Sequence, residues 1–336
     1  MSRMTRPDDQ FIDLIKRSGS ADKAEALVAQ HELATALETP LRKGVLVGDV
    51  LDGIFEKINM EPGTAAEFPL DLLAPGEENS HVAYTNPGHG RIPERAVEGD
   101  YVMVPTYSAA SSIDWLLRYA REARWDIVGR AMQVLEAGFV KKMNDDGWHT
   151  LLAAGVDRNI LVYDADASAG QFTKRLISLM KTGMRRHGGG NTGSLNRGRL
   201  TDAYLSPEAL EDIRNWGIDQ VDEVTRREIY LAGDDGAAIT RVFGVNLHDM
   251  DEIGESQEYQ VFFTDQLGGS LGPSSDVELV VGLDLSANDS FIMPIKQDIQ
   301  IFEDDSLHRQ QRAGFYGWAE LGFAVLDNRR ILLGSF

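Results

Sequence analysis

The sequence predicts an α+β protein whose helices lie mainly in its first half and whose strands lie mainly in its second half. Apolar residues recur at helical spacing within the first 40 residues. A longer helical stripe of apolar residues runs from about Ile113 to Met143. After about residue 238 the apolar segments are short, rich in β-branched and aromatic residues, and separated by turn-forming residues, as expected of strands.

Two helices are predicted near the N-terminus, the first after Pro7 and the second from Ser20. Pro40 is expected to end the second helix, because proline has no amide hydrogen and disfavours helical geometry in the residue before it. Residues 60–100 hold many prolines and glycines and few apolar residues, which predicts an extended loop or hairpin. A loop this long is unusual within one compact domain, and it is explained if the loop lies on another subunit.

The helix predicted from about Ile113 to Met143 would be more than about 40 Å long at ~1.5 Å per residue. A strand-like segment, DYVMVPTYSAASSID, leads into this helix and ends in a Ser-Asp start signal. The sequence from Asn144 to Gly147 is expected to end it.

The second half is predicted to alternate helices and strands. Ser168 is the predicted N-cap of one helix, which Gly188 would end. Ser206 is the predicted N-cap of another helix, with Pro207 at its first position. Strands are predicted in AITRVFGVNLHDM, YQVFFTD, VELVVGLDL, SFIMPIKQDIQIF and FYGWAELGFAVLDNRRILL.

The composition excludes several kinds of site. The chain has no cysteine, so it can form neither disulfide bonds nor thiolate zinc sites, and it has no cysteine nucleophile. Its formal net charge of −20 disfavours tight binding to nucleic acid. No apolar run is long enough to cross a bilayer, so we expect a protein that is made and used in the cytosol.

Two glycine-rich segments resemble serine hydrolase motifs. Gly268 to Gly272 match the G-x-S-x-G pattern around Ser270, His187 begins a segment similar to an oxyanion-hole motif, and His308 would complete a triad. The nucleophile pattern requires a strand, a sharp turn and a helix, whereas Ser270 is followed by Pro273 and then by a predicted strand. We therefore predict no catalytic residue, and a hydrolase that uses Ser270 and His308 is kept as a remote alternative.

No metal or cofactor site is predicted either. The histidines show no metal-binding spacing, and no phosphate-binding loop or dinucleotide fingerprint is present. Asp145-Asp146-Gly147 and Asp234-Asp235-Gly236 lack the alternating oxygen ligands and the closing glutamate of a calcium loop. These two segments are therefore predicted to be turns.

The order of these elements resembles the major capsid proteins of tailed bacteriophages, the Hong Kong 97-type fold family. Residues 1–44 resemble that family's N-terminal arm, and EPGTAAEFPLDLLAPGEENSHVAYTNPGHGRIPERAVEGD resembles its extended loop, the E-loop. YVMVPTYSAASSIDWLLRYAREARWDIVGRAMQVLEAGFVKKMNDDGW resembles its peripheral strand and spine helix. SFIMPIKQDIQIFEDDSLHRQQRAGFYGWAELGFAVLDNRRILLGSF resembles its ending, in which a long hairpin precedes a closing strand.

The resemblance implies a Hong Kong 97-like division of the chain into an arm, an E-loop, a peripheral domain and an axial domain. The implied segments are the helical arm at 1–44, the extended E-loop region at 45–100, the peripheral domain with the spine helix at 101–155, the axial domain at 156–279, peripheral return strands at 280–325 and the closing axial strand at 326–336.

The resemblance also implies a non-enzymatic function. The chain would self-assemble as hexamers and pentamers into an icosahedral shell around double-stranded DNA, within the virion and built in the host cytoplasm. Its implied partners are other copies of itself, a separate scaffolding protein, a portal and an optional decoration protein, with weak and non-specific contact to packaged DNA and no membrane. Encapsulin nanocompartments share this fold, so an encapsulin-type shell is the main alternative.

Contacts between copies are expected at the arm, the E-loop and the spine helix. Residues 59–90 hold five acidic residues and no lysine or arginine, whereas the predicted spine helix carries arginines, so opposite charges would guide docking. The open alternative is that these arginines pair only within their own helix or with solvent. The candidate contact residues are Phe11, Leu14, Phe55, Glu61, Glu67, Phe68, Glu77, Glu78, Tyr84, Arg118, Arg121 and Arg124.

Overall fold

The protein forms two compact units in the computed structural model. The first unit comprises Met1–Ala66, Met103–Gly147 and Met293–Phe323, and the second comprises Glu67–Val102, Trp148–Ile292 and Ala324–Phe336. The structure describes residues 9–48, 51, 53–69, 101–122, 125–187, 198–216, 241–272, 277–286, 289–304 and 306–336.

Helices and strands are interleaved along the chain. Helices α1 to α7 are Asp9–Ser18, Lys23–Gly48, Leu117–Arg121, Trp125–Asp157, Lys174–His187, Pro207–Asn215 and Glu258–Val261. Shorter helical turns are Phe262–Gln266, Leu307–Gln310 and Asn328–Arg330. Strands β1 to β13 are Glu56–Asn59, Glu67–Pro69, Tyr101–Met103, Tyr107–Leu116, Leu161–Tyr163, Asp202–Leu205, Arg241–Val242, Val245–Asp249, Leu279–Leu283, Phe291–Glu303, Arg312–Leu321, Ala324–Val325 and Ile331–Ser335.

Helices α1 and α2 pack against each other, and α1 also packs against α3. Ile15, Ala26 and Leu33 are fully buried, which gives this helical segment an apolar core within its own chain. The prediction that Pro40 ends the second helix is wrong, because α2 continues through it to Gly48. A proline inside a helix removes one hydrogen bond and bends the axis, but a helix can continue beyond it.

A four-strand path in the order β1-β10-β11-β4 forms the sheet of the first unit. Strands β10 and β11 form an antiparallel hairpin, and β4 pairs antiparallel with β11 from Tyr107 to Leu116. The prediction of helix from Ile113 is therefore wrong for its first residues. Trp115 is buried while Asp114 and Leu116 are exposed, so this stretch has the period-two burial of a strand.

Helix α4 runs from Trp125 to Asp157 and is about 50 Å long at ~1.5 Å per residue. The prediction that Asn144 to Gly147 end it is wrong. Gly147 serves close packing instead, because a Cβ at this position would overlap the side chain of Leu51. The carboxylate of Asp146 forms an ion pair with Nζ of Lys142 at 2.7 Å and accepts a hydrogen bond from the hydroxyl of Tyr107.

The sheet of the second unit has the strand order β5-β13-β9-β6-β8-β7. Its C-terminal strand, β13, is parallel to β5 and antiparallel to β9. Strand β9 is fully buried, as expected for a central strand covered on both faces. Helices α5 and α6 contribute apolar side chains to its core, among them Leu176, Met180, Leu210 and Ile213.

The helix caps in this unit agree only partly with the sequence prediction. Ser206 accepts a hydrogen bond from the Ala209 amide at 3.3 Å with Pro207 first in α6, which confirms that cap. Helix α5 begins six positions after Ser168, and the side chain of Thr173 accepts the Leu176 amide at 3.2 Å. The predicted stop at Gly188 lies outside the described residues, although α5 ends at His187.

The strand predicted in YQVFFTD is wrong, because this segment is helical in α7 and the π-helical turn Phe262–Gln266. Tyr259 and Phe263 are both buried and lie four positions apart, on one helical face. The Gln260 side chain also donates to the Val277 carbonyl at 2.9 Å and accepts the Leu279 amide at 3.1 Å. These tertiary contacts override the strand preference of the aromatic residues.

Strands β2 and β3 pair with each other, so the two ends of segment 70–100 begin side by side. The segment itself, which holds most of the predicted loop, lies outside the described residues. Among the helices that the structure describes, none is both long and apolar enough to span a membrane.

Candidate assembly interface

The predicted arm contacts lie on α1, which is engaged by its own chain. Phe11 and Leu14 are both partly buried. The neighbouring Ile15 is fully buried, and α1 contacts both α2 and α3. Phe11 and Leu14 therefore each keep a partly exposed surface that another molecule could contact.

Arg121 has a partner within its own chain. Its Nε donates to the backbone carbonyl of Gly19 at 2.6 Å. Gly19 itself lies so close to α3 that a Cβ there would stand 2.9 Å from the Cβ of Ala120. The Arg121 side chain therefore holds the turn between α1 and α2 within its own chain, whereas the alternative left open by the sequence was pairing within its own helix or with solvent.

Arg118 is exposed and lies over the ring of Tyr119, with 5.0 Å between the guanidinium carbon and the ring centroid. This contact leaves the guanidinium accessible to a second molecule. Four other predicted contact residues lie outside the described residues, so their placement stays a prediction. They are Glu77, Glu78, Tyr84 and Arg124.

Phe55 belongs to the core of the first unit. It is 4% exposed and its ring meets that of Phe323 edge-on, with 5.2 Å between centroids. It is therefore not available as an apolar anchor for another copy, and the local-core alternative describes it better.

The root of the predicted loop carries acidic groups in solvent. Glu61 and Glu67 are exposed, and Phe68 in β2 is partly buried. Glu67 and Phe68 lie in β2, directly before segment 70–100, and β2 pairs with β3, which directly follows that segment. Negative charge at the root fits the predicted charge-guided docking without testing it.

A surface that the sequence analysis did not select lies on the outer face of the first unit's sheet. Tyr316 and Trp318 are 40% and 44% exposed, and Phe302 lies beside them. The signal was present in the alternation of FYGW, since residues two apart in a strand share a face.

A buried polar network occupies the second unit's sheet. Asp202 is 7% exposed, and its Oδ1 lies 2.9 Å from His248 Nε2 and 3.0 Å from the Asn246 amide nitrogen. Burial alone raises the pKa of Asp202, but hydrogen bonds from surrounding side chains outweigh it and place that pKa below its ordinary value. Burial also raises the pKa of the neighbouring Tyr204.

The geometry around Ser270, the serine of the G-x-S-x-G match, gives no support to a hydrolase. Ser270 is exposed, and its hydroxyl accepts the Gly272 amide at 3.4 Å within a local turn. Residues 271 and 272 are irregular rather than helical. His308 is engaged elsewhere, with Nε2 3.4 Å from the Ser20 carbonyl.

Other features in the described ranges do not assemble a reactive centre. A largely apolar cavity of about 240 Å³ opens beside Tyr163, Leu271, Ser335 and Phe336. In the part of the chain that the structure describes, no group of three or more His, Asp or Glu side chains is placed to hold a metal ion.

Solved structures with the same arrangement come from phage and particle capsids. A chain of the Cyanophage Pam1 capsid matches with a TM-score of 0.56 and 12% identity, covering 84% of this chain and 88% of that one. A chain of Microbacterium phage Oxtober96 matches with a TM-score of 0.54 and 12% identity, covering 83% and 85%. The chain has a phage capsid fold.

This capsid fold extends over nearly the whole molecule. A chain from the capsid of an empty GTA particle matches with a TM-score of 0.54 and 12% identity, covering 86% of this chain and 90% of that one. The predicted α+β capsid fold is thereby confirmed. No family model matches the sequence, and no curated protein matches it.

Proposed function

We propose that this chain is a major capsid protein that self-assembles into the shell of a tailed phage. The observation that carries the proposal is the coverage of the structural likeness, which takes in 83–86% of this chain and 85–90% of three capsid-fold chains. If the two proteins shared only one domain, much of at least one of the two compared chains would be unmatched. The encapsulin-type alternative is not favoured, since these solved structures belong to phages and a GTA particle.

The two units have natural counterparts in the capsid division of the chain. The first unit, with its four-strand path and the first part of α4, would be the peripheral domain, and α4 would be its spine helix. The second unit, with the sheet closed by β13, would be the axial domain. Helices α1 and α2 would be the arm, placed on its own chain before any neighbour is met.

The E-loop would be segment 70–100 with β2 and β3 as its root. Because both ends start side by side, about 15 residues can run outward and 15 back, a reach of up to about 50 Å at ~3.3 Å per residue. Its sequence from 59 to 90 is acidic and lacks Lys and Arg. Exposed Arg118 is a suitable guide for such a loop arriving from another copy.

Assembly rather than catalysis would be the work of the protein. Its partners would be other copies in hexamers and pentamers, together with a scaffolding protein, a portal and an optional decoration protein. A net charge of −20 suits a shell that touches packaged DNA weakly and without sequence preference. The shell would form in the host cytoplasm and remain in the virion.

The test is to replace residues 71–99 with a short Gly/Ser linker, which preserves β2 and β3. The variant should keep the circular dichroism and unfolding midpoint of the parent but form no closed shells, because the contact across subunits is gone. The matched control shortens another glycine-rich segment, 188–197, and should still assemble. Normal shells from the first variant would refute the role of the loop.

A further inference from the structure

The tip of the β7–β8 hairpin carries an aromatic side chain at a position that suits a different residue. Phe243 and Gly244 form the two-residue turn between the paired residues Val242 and Val245. Their φ angles are 50° and 78°, and positive φ at both positions is typical of a type I′ turn, which prefers Asn-Gly. The Phe243 side chain is also 45% exposed. An aromatic residue here strains the backbone and gains little burial, so it contributes little to the stability of the isolated chain.

The hairpin tip is held firmly against its own unit. Nζ of Lys181 on α5 donates to the backbone carbonyl of Phe243 at 2.7 Å. Val242 and Val245, on either side of the turn, are 2% and 0% exposed and belong to the core of the second unit. Phe243 is therefore a fixed apolar knob, and a contact through it would cost little ordering entropy.

The second unit also contains a cavity that can hold such a ring. The largely apolar cavity of about 240 Å³ is lined by Tyr163, Leu271, Val277 and Phe336, among others. An apolar cavity of about 150 Å³ is enough to bind benzene. The cavity is therefore large enough for the phenyl ring of Phe243.

One polar group in the cavity wall has no hydrogen bond within the described chain. Ser335 lines the cavity and is 1% exposed, and its buried hydroxyl has no partner among the described residues. Buried polar groups are nearly always hydrogen-bonded, so this wall is suited to an occupant with both apolar and polar atoms. The tip of a hairpin is such an occupant, because its backbone amide and carbonyl groups lie beside its side chain.

The charges around the knob and around the cavity are of opposite sign. On the cavity side, Asp164 and Asp166 share the single guanidinium of Arg175, which leaves one negative charge in excess. On the knob side stand Lys181 and the exposed Arg241. Opposite charges favour encounter of these two surfaces, even in a chain whose net charge of −20 makes copies repel in general.

We propose that Phe243 of one copy inserts into the cavity beside Ser335 and Phe336 of the next copy. Tyr163 lies in β5 and Phe243 follows β7, and these strands are the two ends of the strand order in this sheet. The contact is therefore head-to-tail: it leaves each copy with one further knob or cavity, so it can repeat and close a ring. The inference rests on the proposed function and names one contact within its hexamers and pentamers.

Phe243→Asn separates a contact role from a structural role. Asparagine is preferred at this turn position, so the isolated chain should keep or raise its unfolding midpoint. Shell yield should fall at least tenfold, because the ring that fills the cavity is gone. The control Phe243→Tyr keeps the ring and should assemble at the parental yield. Parental yield from Phe243→Asn, or a lowered unfolding midpoint, would overturn the proposal.

Photocrosslinking identifies the site that Phe243 occupies. Azidophenylalanine replaces Phe243, and isotopically heavy and light chains are co-assembled and irradiated. Heavy-to-light crosslinks from position 243 to residues 163–169 or 335–336 of a second copy are expected. Crosslinks to another segment of a second copy, to another protein, or within one chain only would overturn the inference. Shells would still be present in each of these cases, so the proposed function would survive that result.

Discussion

The backbone carbonyl of Gly19 accepts a 2.6 Å hydrogen bond from Nε of Arg121. This bond joins the turn between α1 and α2 to α3, and close approach of the two segments leaves no room for a Cβ at Gly19. A residue expected to attract another subunit thus holds the arm against its own chain. The arm is positioned before assembly, so its ordering entropy is not lost when a neighbour binds.

Arg121→Ala should loosen the arm. Loss of one hydrogen bond to a charged donor costs about 1 kcal/mol at a partly exposed site. Amide hydrogen exchange in α1 should therefore speed up several-fold. Arg118→Ala is the control, because the side chain of Arg118 lies on that of its neighbour Tyr119 rather than on α1, and exchange in α1 should be unchanged.

The salt dependence separates two roles of Arg121. If it holds the arm through Gly19, the assembly defect of Arg121→Glu should be similar at low and high salt. If it guides an acidic loop, the defect should be larger at low salt, because salt screens exposed charges. Rates of light-scattering increase at two salt concentrations decide between these roles.

Two glycines of α4 should respond oppositely to the same change. Gly147→Ala forces a methyl group into Leu51 and should destabilise the first unit by about 1–3 kcal/mol. At Gly138 the nearest atom to a new Cβ is 3.6 Å away, so Gly138→Ala should stabilise by about 0.5–1 kcal/mol through helix propensity. Urea unfolding of the unassembled chain measures both.

A second-site change checks the cause at Gly147. In a double-mutant cycle, Leu51→Ala should cost less stability in the Gly147→Ala background than in the parent, since it removes the overlapping methyl groups there. Equal destabilisation by the two alanine substitutions in α4 would contradict the packing account.

The Asp202 network should make the second unit sensitive to acid. The pKa of Asp202 is lowered in the folded state, so its stabilisation is present above its unfolded pKa of about 4 and is lost as pH falls through the folded value. Asp202→Asn should cost about 1 kcal/mol at pH 6 and progressively less below pH 4. The control Asp251→Asn changes an exposed carboxylate and should leave the unfolding curves unchanged. A constant difference between parent and Asp202→Asn from pH 6 to pH 3 would argue against this linkage.

Mature shells should contain no covalent links between subunits. Some capsid proteins of the family that this chain resembles form isopeptide bonds from an E-loop lysine. This chain has no lysine from residue 58 to 140, and it has no cysteine that could form a disulfide bond instead. Arginine stays protonated and cannot take the place of the amine. Boiling particles in SDS should yield a single band near 37.1 kDa. A ladder of covalent oligomers would contradict this prediction.

The sequence predicted the order of elements better than their ends. Element order depends on hydrophobic periodicity, which each segment carries locally. Where each helix or strand ends depends on tertiary contacts, and the local hydrophobic pattern carries no information about them. Leu51 beside Gly147 keeps α4 helical through a turn-like sequence, and ten paired positions with β11 turn Ile113 and its neighbours into strand.

The candidate contact residues were also only partly predictable from the sequence. Phe55 was selected as an apolar residue near a loop, but only the fold shows that Phe323 covers it. The open aromatic face was missed because alternation identifies two faces of a strand without telling which one a helix covers. Phe139 of α4 covers the face of Gly317, and this leaves Trp318 outside.

The central claim is that copies of this chain build a closed shell, and electron microscopy of the purified protein tests it most directly. The chain is expressed alone and with a scaffolding protein from its own gene neighbourhood, and the products are imaged in negative stain and by cryo-electron microscopy. We predict closed angular shells, or pentameric and hexameric clusters that convert into shells, with subunit density that fits the two units described here. A population of stable monomers under both conditions, with no shells or clusters, would contradict the account.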